Sequence, residues 1–236
     1  MEISIVIACY NEATHLKKSV ADIQRIMDST KWSYEFIFID DSSSDGTQDI
    51  LKEIQAEHPE WQFYFHEVNM GRGRTVTEGF FKSHGSITGF IDIDLEVPAY
   101  IIPALAIEIQ KMGYDIATAK RDYRIHFQII HRWMASRCYN FLVRKFLKIN
   151  LEDTESGCKF FSKNKLLPIL KHVKDPHWFW DTEIMVRCYK ERYRIKELPA
   201  LFIRKPDKKS TVNFISDIKD YLIKIYKFRK ELKKIS

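Results

Sequence analysis

Three acidic segments of the chain carry side chains that could bind a cation and a phosphorylated ligand. Asp92 and Asp94 follow the apolar run Ser86–Ile91, while Asp40-Asp41-Ser42 and Asn11-Glu12 follow two other apolar runs. Carboxylates are the hard oxygen ligands that Mg²⁺ and Mn²⁺ prefer, and these ions complete their shells with water and substrate phosphates. Taken alone, Asp92-Ile93-Asp94 could also be a solvated strand end that caps a helix.

The elements that would position these segments alternate between short β-rich runs and longer amphipathic stretches, which predicts a doubly wound α/β fold with a mixed, mainly parallel sheet. The predicted strands are Ile3–Tyr10, Glu35–Asp40, Phe63–Glu67, Ile87–Asp92 and Asp115–Ala119, and the predicted helices are Glu12–Asp28, Asp45–Glu57, Gly73–Ser83 and Ala99–Met112. Because such sheets bind ligands at the carboxyl ends of their strands, we expect the acidic segments to meet at one edge.

The second half of the chain is less regular. It contains a long amphipathic segment, a short strand, a helix, a further strand and a C-terminal amphipathic helix. The predicted bounds are Phe127–Leu147, Lys159–Phe161, Asp181–Glu191, Arg194–Leu198 and Asn213–Ile235. Lysines on one side of the last segment and apolar residues on the other indicate either a helix that packs on its own domain or one that lies on an anionic membrane.

The ordered set of motifs resembles the inverting family 2 glycosyltransferases of the GT-A fold, and within them the dolichyl- or polyprenyl-phosphate sugar synthases. The matching segments run from Ile3 to Thr211 and are Cys9-Tyr10-Asn11-Glu12, Asp40-Asp41-Ser42, Asn69-Met70-Gly71-Arg72-Gly73, Asp92-Ile93-Asp94, Arg121, Arg132 with Ser136 and Asn140, Asp153–Lys159, Trp180–Ile184, Glu197-Leu198-Pro199 and Arg204. The resemblance implies a catalytic domain over residues 1–211, with a nucleotide-sugar half (1–120) and an acceptor half (121–211), followed by a basic helix over residues 212–236.

The resemblance also implies roles for individual residues. The residues that would bind the nucleotide sugar, a UDP- or GDP-linked hexose, are Ala8, Tyr10, Glu12, Ile39, Asp41, Asp92, Ile93, Asp94, Arg121 and Arg204. Asp92 and Asp94 would hold Mg²⁺ or Mn²⁺ on the diphosphate, with Glu96 as a further ligand. The family's Gly-x-Ser-Lys segment is missing after Arg204, so that Lys208 or Lys209 would have to supply the phosphate-binding lysine.

The acceptor determines which residues must take part in catalysis. A lipid phosphate is already an anion and needs no general base, whereas a sugar hydroxyl of a polysaccharide or glycolipid needs one. Asp181 and Glu183 are the candidate bases, although the carboxylate of Asp181 could simply interact favourably with the dipole at the N-terminus of a helix. With Asp94 and Arg121 at the diphosphate, these two residues complete the predicted catalytic set, and we expect hexose transfer to a polyprenyl phosphate at the membrane surface.

Composition and charge indicate where in the cell the protein is located and which partners it binds. The chain has 236 residues and no apolar run long enough to span a bilayer, so we expect a cytoplasmic protein that contacts the cytoplasmic face of the membrane only peripherally. From Arg204 to Ser236 it carries 11 Lys and Arg against 4 Asp and Glu. A nucleic-acid-binding module is disfavoured, because the aromatic residues of this tail follow helical spacing instead of forming a stacking platform. The four cysteines show no metal-binding spacing, and we expect them to be buried thiols.

Overall fold

The computed structural model describes residues 1–123, 130–204 and 214–235. Within these residues, seven strands form one sheet. The strands are β1 (Ile3–Cys9), β2 (Tyr34–Asp40), β3 (Gln62–Phe65), β4 (Ile87–Ile91), β5 (Ile116–Tyr123), β6 (Cys158–Ser162) and β7 (Ile195–Phe202). The α-helices are α1 (Leu16–Asp28), α2 (Thr47–Glu57), α3 (Arg72–Lys82), α4 (Ile102–Gln110), α5 (Ile130–Leu147), α6 (Lys163–Leu170), α7 (Phe179–Lys190) and α8 (Phe214–Ile235).

The sheet has the strand order β3-β2-β1-β4-β6-β5-β7. Its first four strands run parallel to one another, β6 is antiparallel to both β4 and β5, and β7 is parallel to β5. The predicted mixed, mainly parallel α/β sheet is therefore confirmed. Because β2, β1 and β4 are neighbours, the loops that follow them open at the same edge of the sheet.

Apolar side chains on the two faces of the sheet build two cores. In β1, Ile3, Ile5 and Ile7 face one core, while Val6 faces the other. This alternation is the period-2 pattern of a strand that is covered on both faces. Cys9, Cys158 and Cys188 are buried as expected, but the prediction for Cys138 was wrong, since it is exposed on α5.

Among the elements that differ from the prediction, two contain a proline that explains the difference. Helix α6 was not predicted, because it is short and contains Pro168. Strand β7 continues past the predicted end at Leu198 to Phe202, although Pro199 interrupts its pattern. Proline removes a hydrogen-bond donor, and β7 tolerates it because it lies at the edge of the sheet. The predicted starts at Phe127 and Asn213 lie outside the described residues.

Helix α8 packs on the domain and also keeps an outward face. Ile225 and Phe228 are buried, and the Phe228 ring meets the Phe179 ring of α7 at a centroid distance of 5.7 Å. Leu222 and Tyr226 are exposed. The buried residues are those expected of a helix that packs on its own domain, and the exposed residues are those expected of a helix that lies on a membrane. No helix among the described residues is long and apolar enough to cross a membrane.

Candidate active site

A sharp turn follows each of β1, β2 and β4, and the three turns lie at the edge of the sheet where the site is expected. Asn11, Ser42 and Leu95 have left-handed backbones with φ of 55°, 65° and 51°. The first two turns are joined, because Ser43 Oγ accepts the Asn11 amide at 2.9 Å and Asn11 Oδ1 accepts the Ser44 amide at 2.8 Å. Left-handed backbones are uncommon outside glycine, and such residues are frequent in ligand-binding loops.

The residues predicted to surround the nucleoside lie along the first two of these turns. Ala8 and Ile39 are paired across β1 and β2, so they occupy neighbouring positions at the strand ends. Tyr10 is half exposed at the edge, and the Glu12 amide donates to Thr47 Oγ1 at 2.8 Å. The structure therefore brings this part of the predicted set together.

Asp41 lies in a dense hydrogen-bond network at the end of β2. Its carboxylate accepts the amides of Met70 at 2.7 Å and Gly71 at 2.9 Å, and it meets His66 Nδ1 at 2.8 Å. The other imidazole nitrogen of His66 lies 3.0 Å from Glu78. Sequence reasoning missed His66, since a lone histidine between strand and loop carries no spacing signal.

His66 makes the stability of this network depend on pH. Burial lowers the pKa of His66, but the hydrogen bonds and charges of Asp41 and Glu78 outweigh burial and raise the pKa above its usual value. A raised folded-state pKa adds stability that is complete below the unfolded pKa of about 6.5 and is lost as pH rises through the folded value.

We therefore expect the thermal stability advantage of the wild type over His66→Gln to be largest at acidic pH and to shrink as the pH rises. Melting curves of both proteins across neutral pH would measure it, with His172→Gln, at an exposed histidine, as the control. A difference that stays constant with pH would contradict a titrating His66.

A cluster of two carboxylates and two cations forms the centre of the site. Arg72, at the start of α3, donates Nε and NH2 to Asp92 Oδ1 at 2.9 and 2.6 Å, and NH1 to Asp181 Oδ2 at 2.5 Å. Lys159, which is fully buried in β6, donates to the other oxygen of Asp181 at 2.5 Å. Burial, together with the nearby carboxylates of Asp94 and Asp181, raises the pKa of Asp92 against the opposing effect of Arg72.

The predicted metal ligands do not form a three-carboxylate group here. Asp94 Oδ1 accepts the Glu96 amide at 3.1 Å, and Glu96 in turn accepts the Ile203 amide through its carbonyl oxygen at 2.8 Å. Across the described ranges, no three His, Cys, Asp or Glu side chains are grouped as metal ligands. The donor set nevertheless fits Mg²⁺ or Mn²⁺, because such ions need only one or two carboxylates when phosphates complete the shell, and because a guanidinium already stands at Asp92 as a cation.

Arg121 is held in a fixed orientation on β5. Its Nε and NH2 donate to the two oxygens of Asp153 at 2.7 Å each, and its amide also donates to Asp153. Although burial works against the charged form, Asp153 raises the pKa of Arg121. The pair lines a cavity of about 260 Å³ that also contains Tyr123, Ser136 and Arg137.

Glu155 is a second residue that the sequence did not single out. It follows Asp153 in the loop before β6, and burial is the largest cause that raises the pKa of Glu155 to about 7. Arg121 opposes this rise, whereas Asp181 and Asp153 add to it. A carboxyl group with a pKa near neutrality can exchange protons under physiological conditions.

The structure gives Glu183 and Arg204 different surroundings from the rest of the predicted set. Glu183 Oε2 accepts the amides of Lys174 and Asp175 at 3.0 and 2.8 Å, and Oε1 pairs with Arg187 at 2.6 Å. These contacts stabilise the turn before α7, whereas Asp181 lies in the central cluster with Arg72 and Lys159. Arg204 is half-buried at the end of the described segment, and Lys208 and Lys209 lie outside the described residues.

Solved structures share this architecture. Glucosyl-3-phosphoglycerate synthase from Mycobacterium tuberculosis, in complex with Mn²⁺, UDP and glucosyl-3-phosphoglycerate, has a TM-score of 0.68 at 17% identity, over 96% of this chain and 78% of that chain. The same enzyme with Mg²⁺ and UDP has a TM-score of 0.64 at 18% identity, over 88% and 72%. At this identity the likeness supports the GT-A fold.

Sequence relatives extend the comparison. Glycosyltransferase AglD of Haloferax volcanii is 31% identical over 222 residues, which are 92% of this chain and 35% of that protein. Dolichyl-phosphate beta-glucosyltransferase of Saccharomyces cerevisiae is 26% identical over 219 residues, which are 84% of this chain and 65% of that protein. The chain thus spans less than two thirds of the length of either relative.

Residues 4–169 match the family model described as glycosyl transferase family 2. This match covers most of the chain, including the three acidic turns and the Asp153–Lys159 segment. The membership that the motifs predicted is confirmed, and the chain belongs to glycosyltransferase family 2 and has a GT-A fold.

Proposed function

We propose that this glycosyltransferase is metal-dependent and moves a hexose, with inversion, from a UDP- or GDP-linked sugar to a polyprenyl phosphate at the membrane surface. Residues 1–120 would bind the donor, and residues 121–211 would bind the acceptor. Asp92 and Asp94 would hold Mg²⁺ or Mn²⁺ on the diphosphate, where a divalent cation stabilises the departing anion. The complexes of the Mycobacterium tuberculosis enzyme with Mn²⁺ or Mg²⁺ and UDP support this assignment.

The hydrogen bonds of Asp181 are the observation that favours a phosphate as the acceptor. Both of its oxygens accept hydrogen bonds from cations, one from Arg72 and one from Lys159. A proton taken from an acceptor hydroxyl would neutralise Asp181 and so weaken both of these charge-assisted bonds. A phosphate acceptor needs no such step, because it attacks as an anion.

The cavity beside Arg121 fits a phosphate that carries a lipid chain. Its cations are Lys120, Arg121 and Arg137, and its carboxylates are Asp122, Glu152 and Asp153. Lys120 pairs with Glu152 and Arg121 with Asp153. Arg137 brings a planar guanidinium group, which suits phosphate oxygens. Trp133 and Tyr123 add aromatic surface to the same cavity. The similarity to the yeast dolichyl-phosphate beta-glucosyltransferase supports the same acceptor class.

An outward apolar surface supports contact with a membrane. Met134 and Phe141 are exposed on α5, and Leu222 and Tyr226 are exposed on α8. Lys145 Nζ lies 5.7 Å from the ring centroid of Phe141, and Lys230 Nζ lies 4.7 Å from that of Tyr226. Apolar side chains bordered by lysines suit a surface of anionic lipid, which is the composition of the cytoplasmic leaflet.

Transfer of labelled sugar into lipid tests the proposal. Incubation with UDP- or GDP-linked labelled hexose, polyprenyl phosphate and Mn²⁺ is expected to place label in the organic phase, and chelation of the metal is expected to abolish it. The matched control replaces polyprenyl phosphate by the unphosphorylated polyprenol, which should receive no label. Label that appears only in water-soluble glycans would refute the lipid acceptor.

Transfer to a sugar hydroxyl is the second candidate, and Glu155 is the observation that favours it. Its pKa of about 7 is suited to a general base at neutral pH. With a hydroxyl acceptor, Glu155→Gln should abolish transfer but leave nucleotide-sugar binding intact. With a phosphate acceptor, the same variant should retain most of the activity, so this variant separates the two candidates.

A further inference from the structure

The side chain of Arg72 fills the space between the two carboxylates of the central cluster. It is 14% exposed, and its guanidinium carbon lies 5.0 Å from the ring centroid of Phe90 and 5.2 Å from that of Trp178. The guanidinium thus contacts two aromatic rings as well as Asp92 and Asp181. Such a site stabilises a cation through charge, hydrogen bonds and π-faces together.

Arg72 competes with any second cation for the carboxylate of Asp92, whose side chain is 34% exposed. Its Oδ1 accepts both Nε and NH2 of Arg72. Its Oδ2 lies against Gly157, where a Cβ atom would come within 2.3 Å of that oxygen. A divalent ion that binds Asp92 would therefore approach the same oxygen that Arg72 uses, or lie beside a guanidinium that repels it.

The bond between Asp181 and Arg72 does not depend on the bonds between Arg72 and Asp92. Asp181 shares only NH1 of the guanidinium, and its other oxygen is occupied by Lys159. The bonds to Asp92 and to Asp181 involve different nitrogen atoms of Arg72. The guanidinium can consequently release Asp92 and keep its bond to Asp181.

We propose that Arg72 is a positioning residue that holds Asp92 as its counter-ion in the metal-free site, and that it releases Asp92 and pivots on Asp181 when a divalent ion binds. This inference rests on the proposed metal dependence and adds a competing cation to it. The competition weakens binding of the bare ion, so that metal binds well only together with the diphosphate of the donor.

Metal affinity without nucleotide tests the competition. Titration of Mn²⁺, followed by the electron paramagnetic resonance signal of the free ion, is expected to show roughly tenfold tighter binding to Arg72→Met than to the wild type, because a charge-assisted hydrogen-bond pair no longer competes. Arg74→Met removes the same charge from an exposed position on the same helix and should leave the affinity near that of the wild type. Equal tightening in both variants, or none in Arg72→Met, would overturn the proposal.

The movement of Arg72 can also be followed in the wild-type protein. This measurement does not require that an Arg72 variant folds. Diamagnetic Mg²⁺ is expected to change the fluorescence of Trp178 in the wild type, because the guanidinium beside its ring moves, and Trp178→Phe should remove that change. Mg²⁺ binding seen by calorimetry without a change at Trp178 would refute the release of Arg72. If neither ion binds the wild type even with UDP present, the proposed metal dependence itself fails. Neither measurement includes an acceptor, so failure of lipid transfer leaves both results interpretable.

Discussion

Asp92→Asn is expected to lower the rate of sugar transfer on the order of 10²- to 10³-fold, because it removes the charge that would hold the metal against the leaving diphosphate. Asparagine has the same shape, and its carbonyl oxygen can still accept hydrogen bonds from Arg72. The backbone bond from the residue 92 amide to the Gly157 carbonyl, at 2.8 Å, does not involve the side chain. We therefore expect a folded protein with a specific loss of donor chemistry.

Initial rates at saturating donor and Mn²⁺ measure this effect, and a thermal shift with UDP and Mn²⁺ reports the loss of binding, since a ligand that binds only the folded state raises its stability. Asp49→Asn is the matched control, because Asp49 is an exposed carboxylate on α2 whose described ion pair is with Lys52 on the same helix. Rates within about twofold of each other for the two variants would contradict a metal role for Asp92.

Lys159→Met is expected to destabilise the fold by about 3 kcal/mol, since removal of one partner of a buried ion pair leaves the other charge uncompensated. Lys159 is 0% exposed and Asp181 is 4% exposed, so water cannot replace the missing ammonium group. Arg72 still pairs with Asp181, which places the loss at the low end for a buried pair. For a chain of this length, we expect Tm to fall by roughly 6–12 °C.

Calorimetric or fluorescence melting curves measure this shift. Lys165→Met removes a lysine that is 47% exposed and lies 4.0 Å from Asp115, and it should change Tm little. The double variant Lys159→Met with Asp181→Asn should regain part of the loss, because the uncompensated carboxylate is gone. A Tm for Lys159→Met equal to that of Lys165→Met would rule out a stabilising role for the buried pair.

The order of elements and the location of the proposed donor site follow from local sequence patterns. Strands β1, β2 and β4 are recognisable as apolar runs, and each ends at a polar segment. Parallel strands place their carboxyl ends on the same side, so the sequence alone assigns Glu12, Asp41 and Asp92 to one edge of the sheet. The motifs then predicted the family, which the family model confirms.

Local patterns failed where a residue's neighbours determine its conformation. Pro168 interrupts the helical periodicity of α6, and Pro199 interrupts the strand periodicity of β7. Both elements form nevertheless, because α6 is short and β7 lies at the edge of the sheet. The strand β6 was predicted, but its antiparallel insertion between β4 and β5 was not, because strand order depends on long-range pairing. That insertion is what brings Lys159 beneath the site.

By itself, then, the sequence determined the family, the α/β class of the sheet and the edge at which the acidic turns meet, because these depend on periodicity and on motifs within single segments. Only the tertiary structure decided which charges pair. Arg72 and Asp181 are 109 residues apart, and the chain offers 38 Lys and Arg and 32 Asp and Glu as possible partners. A buried charge is tolerated only beside a suitable counter-ion, and the packing of α3, β6 and α7 selects Arg72, Lys159 and Asp181 from that large set.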